Sequence, residues 1–134
     1  MTFGARLAMA VVMLGASLFA SSADAPVAAP DAVAARVEAL LHAKYADREK
    51  LAVIDRVFTI EKRLGAYRAA RTKAQLVYRI NADLWVATKD RRVSVHGSSE
   101  PSAAGIARCD LGSGLQLFVP VAGTATENAL LPER

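Results

Sequence analysis

One cysteine, one tryptophan and two histidines are spread over 134 residues, and each scarcity closes off a class of protein. A lone thiol, Cys109, cannot build an intrachain disulfide framework. It is left as a small buried residue, an intermolecular disulfide partner or a reactive thiol. Together with His42 and His96 it falls short of the four ligands of a structural metal site, and the spacing has no metal pattern, so no metal is expected. No cofactor is expected either, since the chain lacks a P-loop, a dinucleotide-binding glycine fingerprint and a zinc-protease helix. Ser98, Ser99 and Ser113 lack the Gly-x-Ser-x-Gly turn that presents a nucleophile. Internal repeats are absent, and past residue 20 no apolar run is long enough to span a bilayer.

The one long apolar run is at the start. Arg6 precedes Leu7–Ala20 (LAMAVVMLGASLFA), and small residues follow, which are the three parts of a secretory signal peptide. About 20 apolar residues are needed to cross a membrane, so this run is too short for an anchor. Small-x-small sites allow cleavage after Ala23 or after Ala25. The second would leave Pro26 just beyond the cut, so Ala23 is preferred. The expected organisation is a cleavable leader at 1–23, a flexible lead-in at 24–30, one small domain at 31–121 and a loosely held tail at 122–134. The expected location is outside the cytoplasm, periplasmic or secreted.

Within the domain, Pro30-Asp31 suits a helix start with Asp31 as cap, and Val33, Val37, Leu40 and Leu41 follow at helical spacing. Asp47 suits a second cap. The helix after it carries Val53, Val57, Ile60, Leu64 and Tyr67 as an apolar stripe, widened by Ile54 and Phe58. "LVYRINADLWV" then alternates at period two, although Ile80, Leu84 and Ala87 also fit a helix. With the polar turn "TKDRR" and "VSVH" after it, residues 84–96 are expected as a β-hairpin with Val93 and Val95 inward. Residues 97–105 are expected as a loop. "DLGSG" is expected as a glycine-rich turn, and "LQLFVPV" as a strand that Pro120 places at an edge or end. The sum is an α+β domain, a helix pair followed by a small antiparallel sheet.

Charge is unevenly distributed. Residues 48–92 hold twelve basic and five acidic side chains, a net of +7, while 24–47 and 93–134 each come to −2. An anionic partner is therefore a natural candidate. Nucleic acid fits poorly, because on a helical wheel the basic residues scatter around the apolar stripe instead of forming one track interleaved with aromatics. Arg71 stands out, since a continuous helix would place it inside that stripe. Either the helix breaks between Gly65 and Arg71, or Arg71 enters a pocket and holds a carboxylate. Arg48 and Lys62 are the further candidates for an anion clamp. Lys89, Arg91 and Arg92 are candidates for a partner or anionic-lipid surface.

Two partial resemblances can be placed on residues. "LWVATKDRRVSVHG" resembles the strand-turn-strand-glycine core of the BON domain at Leu84, Val86, Val93, Val95 and Gly97, with Arg91 at its turn glycine. That family is linked to membrane surfaces. "DREKLA" and Arg71 are similar to the first helix of secreted, all-helical chorismate mutases, with Thr59 at a lysine position and Thr72 at a glutamate position. Neither is taken as membership. The expected function is a small exported binding or envelope-assembly protein, its partner an unidentified protein or anionic ligand, with a homo-oligomer compatible. The alternatives are an enzyme gripping an anionic metabolite and a peripheral lipid-binding module. The lack of a convergent catalytic set weighs against an enzyme without deciding the matter.

Overall fold

In the computed structural model the described residues are 29–121; the segments expected as leader and tail, and most of the expected lead-in, lie outside them. Three helices come first and a three-stranded antiparallel sheet follows, an α+β arrangement. Helix α1 spans Pro30–Lys44, and its proline occupies the first turn, where a missing amide hydrogen costs no helix bond. The cap expected at Asp31 is instead the backbone of Ala29, which turns left-handed (φ 52) and contributes no side-chain bond. Asp31 sits inside the first turn, where its charge complements the helix dipole and pairs with Arg68 at 3.4 Å.

Helix α2 spans Arg48–Leu64. Asp47 caps it, accepting from the Lys50 amide at 3.1 Å, and left-handed Gly65 (φ 71) closes it on the carbonyls of Glu61 and Lys62. The face it buries differs from the expected stripe. Leu51, Ile54 and Phe58 enter the core, whereas Ile60 and Leu64 lie in solvent. The cause is in the last two turns, where charged Glu61 and Lys62 hold the inward positions. Glu61 pairs with Arg79 and Lys62 with Glu38. A paired charge tolerates such a seam, and a periodicity counted over apolar residues passes over it.

Helix α3 spans Lys73–Thr88, so the expected strand over "LVYRINADLWV" and the hairpin over 84–96 are both incorrect. Residues four apart satisfy period two and period 3.6 alike, so buried Leu76, Ile80 and Leu84 cannot distinguish them. The deciding positions are those only one pattern would bury. Tyr78 is 77% exposed and Val86 58%, while Asp83 and Ala87 are buried, which is the helical face. Thr72 caps the helix, accepting from the Gln75 amide at 3.2 Å. With Leu84 and Val86 on a helix, the BON-like strand-turn-strand is not realised. The sheet equally departs from the all-helical chorismate mutase pattern.

Strands β1 (Ser94–Gly97), β2 (Ile106–Gly112) and β3 (Leu115–Pro120) form the sheet in the order β1-β3-β2. The third strand, expected at an edge or end, is central, and Pro120 is its last residue, opposite Ile106. β2 was not anticipated; its inward Cys109 and Leu111 make too short an alternation to stand out. Gly112, Ser113 and Gly114 all take positive φ (74, 55 and 73) and make the β2–β3 turn that "DLGSG" suggested. Leu115, Leu117 and Val119 join the core shared with the helices, whereas Phe118 is buried outside that cluster. Period-two alternation puts Gln116 and Phe118 on the other face, under the 97–105 loop. There the Gln116 amide donates to the carbonyls of Gly97 (2.8 Å) and Glu100 (2.9 Å).

The rotated face of α2 has a measurable consequence. In urea unfolding, Phe58→Ala is expected to cost about 3–5 kcal/mol and Leu64→Ala no more than about 0.5 kcal/mol. Equal losses would restore the stripe expected from the sequence.

Candidate functional site

The candidate arginine clamp is not assembled. Because α2 ends at Leu64, Arg71 falls in the linker before α3 and is exposed, its amide donating to the Gln75 side chain at 2.7 Å. Tyr67, not Arg71, is the linker residue buried in the core. Arg48 and Lys62 lie at opposite ends of α2, roughly 21 Å apart along its axis at 1.5 Å per residue. Lys62 is moreover engaged by Glu38.

Two of the three residues in the other predicted group, Lys89 and Arg91, do converge. The α3 C-terminus and the turn after it bring Lys89 Nζ within 5.3 Å, and the Arg91 guanidinium within 4.5 Å, of the Trp85 ring centroid. Both distances are in the range of a cation–π contact. Arg92 is held apart from them: its Nε and Nη2 grip Asp90 at 2.9 and 2.8 Å, which holds that carboxyl below its ordinary value. Among the described residues no carboxylate accepts from Arg91. Trp85 and Arg91 line a cleft of about 570 Å³, whose wall on the sheet side is lined by Ser94, His96, Ile106 and Phe118.

Sequence reasoning missed what lies on that wall. Ser94 and His96 are two residues apart on β1 and so share a face, opposite the buried Val93 and Val95. Ser94 Oγ lies 2.6 Å from His96 Nε2, and His96 Nδ1 lies 3.0 Å from Glu100 Oε2. The imidazole also stacks on Phe118, with centroids 4.3 Å apart. Glu100 is well anchored for a loop residue. Its amide donates to Gly97, and its carbonyl accepts from Gln116 and, at 3.0 Å, from Arg108. The available signal was Ser-x-His on an alternating segment; Glu100 could not be added, because its position depends on how the loop folds back.

A second polar cluster is structural in character. The Tyr67 hydroxyl donates to Asp83 Oδ2 at 2.9 Å inside the core, and Arg79 joins Asp83 to Glu61 at its edge. Burial raises the Asp83 carboxyl above its ordinary value, opposed by the Tyr67 hydrogen bond. Cys109 is buried in the core cluster. Among the described residues no three His, Cys, Asp or Glu side chains converge on a metal position, and no helix is long and apolar enough to cross a membrane. No family model, curated protein or solved structure matches the chain.

Tyr67 in this cluster and Tyr45 elsewhere in the core give the fold a pH signature. Burial and the Asp83 contact push Tyr67 far above its ordinary value of 10.0, and burial, then Asp90 and Asp47, push Tyr45 up to about 12. Above pH 10 the unfolded chain loses these protons, while the folded chain keeps that of Tyr67 and gives up that of Tyr45 only as the pH nears 12. Stability is therefore full below pH 10 and falls as pH rises. Each such proton contributes a limiting slope of about 1.4 kcal/mol per pH unit. Urea unfolding at pH 10.5–11.5 should show a slope of roughly one and a half protons, and Tyr67→Phe about half of that. An unchanged slope in Tyr67→Phe would contradict the buried hydrogen bond.

Proposed function

We propose that this is a small exported binding module that takes an anionic organic ligand in the cleft between Trp85 and Phe118. The observation that carries the reading is Arg91. Its guanidinium is stacked on Trp85 at 4.5 Å at the edge of the cleft, with no carboxylate partner among the described residues. Stacking orients the donors and leaves the planar edge free for a carboxylate or phosphate. Phe118 and Ile106 offer the ligand's body an apolar bed. Lys89 adds positive potential at the same ring. The leader-like residues 1–23 support export, which would place the cleft in contact with solutes of the envelope or the medium.

Trp85 is the only tryptophan in the chain, so its emission reports on the site directly. Protein recovered from the exported fraction, with Asp24 at its N-terminus, would be titrated with phenylacetate, phenyl phosphate and anionic vesicles. The expected result is a saturable change with a small aromatic anion, weakened at least about tenfold by Arg91→Ala with the circular dichroism unchanged. A response to vesicles alone would replace the small ligand by a lipid surface. Affinity unaffected by Arg91→Ala would overturn the assignment.

A further inference from the structure

The wall of the cleft carries more than a binding role requires. A carboxylate can only accept hydrogen bonds, so the proton between His96 Nδ1 and Glu100 belongs to the imidazole nitrogen. In the neutral ring this leaves Nε2 with its lone pair directed at Ser94, whose hydroxyl donates to it at 2.6 Å. A hydroxyl, a base in contact with it and a carboxylate orienting the base are the three parts of an activated serine nucleophile.

Their supports argue that the arrangement is set by the fold. Ser94 stands directly opposite Phe118 in the β1–β3 register, and the same Phe118 stacks against the imidazole. Glu100 is placed by three backbone hydrogen bonds of its own residue, to Gly97, Gln116 and Arg108. The His96 side chain is 26% exposed, shielded yet reachable from the cleft that Ser94 and His96 line. Arg91 lines the same cleft from the Trp85 side.

We propose that Ser94 and His96 are catalytic residues, and Glu100 a positioning residue, of an acyl-transfer site hydrolysing small esters whose acid portion is anionic. Ser94 Oγ bonds to the ester carbonyl carbon as its proton passes to His96 Nε2. Collapse of the tetrahedral adduct breaks the carbon–oxygen bond to the alcohol, which leaves with the proton from Nε2. Water then attacks the acyl-serine, giving a proton to Nε2 that returns to Ser94 as the acid departs. The anionic character of the substrate rests on the binding reading above, whereas the nucleophile does not.

The test separates the two by using a neutral reagent. An uncharged alkyl fluorophosphonate forms an Oγ–phosphorus bond with loss of fluoride, and intact-mass and peptide analysis locate the adduct. One adduct per chain at Ser94 is expected, none in Ser94→Ala, and labelling at least about 100-fold slower in His96→Gln. Glu100→Gln should slow labelling at least about tenfold, with partial recovery in Glu100→Asp and an unchanged anion affinity at Trp85. Folding of each variant is read from Trp85 emission and circular dichroism. Absence of an adduct on the folded wild type, adducts shared with Ser98, Ser99 or Ser113, or equal labelling in His96→Gln would overturn the proposal.

Discussion

A single side-chain amide joins the helices to the sheet at the cleft. Asn81 Oδ1 accepts from the Val95 amide at 2.6 Å, and Asn81 Nδ2 donates to the Val95 carbonyl at 2.9 Å. β1 is an edge strand, so the outward N–H and C=O of Val95 would otherwise meet only solvent or a foreign strand. Asn81 serves them as one residue of an extra strand would. Being on α3, it also fixes that helix against β1 in both distance and rotation. Trp85 follows one turn later on the same helix, and Ser94 and His96 flank Val95 on the strand. The geometry of the cleft follows from this paired hydrogen bond.

The charge distribution is resolved by the same packing. The basic segment that suggests a grip on a polyanion is partly occupied within the fold: Lys62 by Glu38, Arg68 by Asp31, Arg79 by Glu61 and Arg92 by Asp90. Exposed pairs of this kind contribute about 0–1 kcal/mol each, so their role lies in orientation more than in stability. Two of them stitch one helix to another, α1 to α2 through Glu38–Lys62 and α2 to α3 through Glu61–Arg79. Of the basic residues outside these pairs, Lys89 and Arg91 are held together by one aromatic face, that of Trp85.

Local signals in the sequence were legible where chemistry and position coincide. Asp47 caps α2, Gly65 ends it, and "DLGSG" turns, each for reasons contained in a few residues. The order of helices before strands followed from such pieces. Two readings failed because periodicity is blind to context. On α3, spacing by four residues is common to strand and helix, and only tertiary burial of Ala87 and exposure of Tyr78 decide between them. On α2, paired charges replaced apolar residues on the inward side. Of the candidate site, the Lys89–Arg91 cluster was visible as charge, but its focus on Trp85 depends on α3 being a helix. The Ser94–His96–Glu100 contact requires a loop to fold back over the sheet, which no local pattern encodes.

Since the cleft exists where Asn81 ties α3 to β1, native-state hydrogen exchange at the Val95 amide tests the account most directly. Two hydrogen bonds to one side chain are together worth about 1–3 kcal/mol, enough to separate local from global opening. In the wild type the Val95 amide should exchange only through global unfolding. In Asn81→Ala it should exchange through local opening, accompanied by a red shift of Trp85 emission as the cleft loosens. Full protection of Val95 in Asn81→Ala, with Trp85 unchanged, would contradict the central role given to this contact.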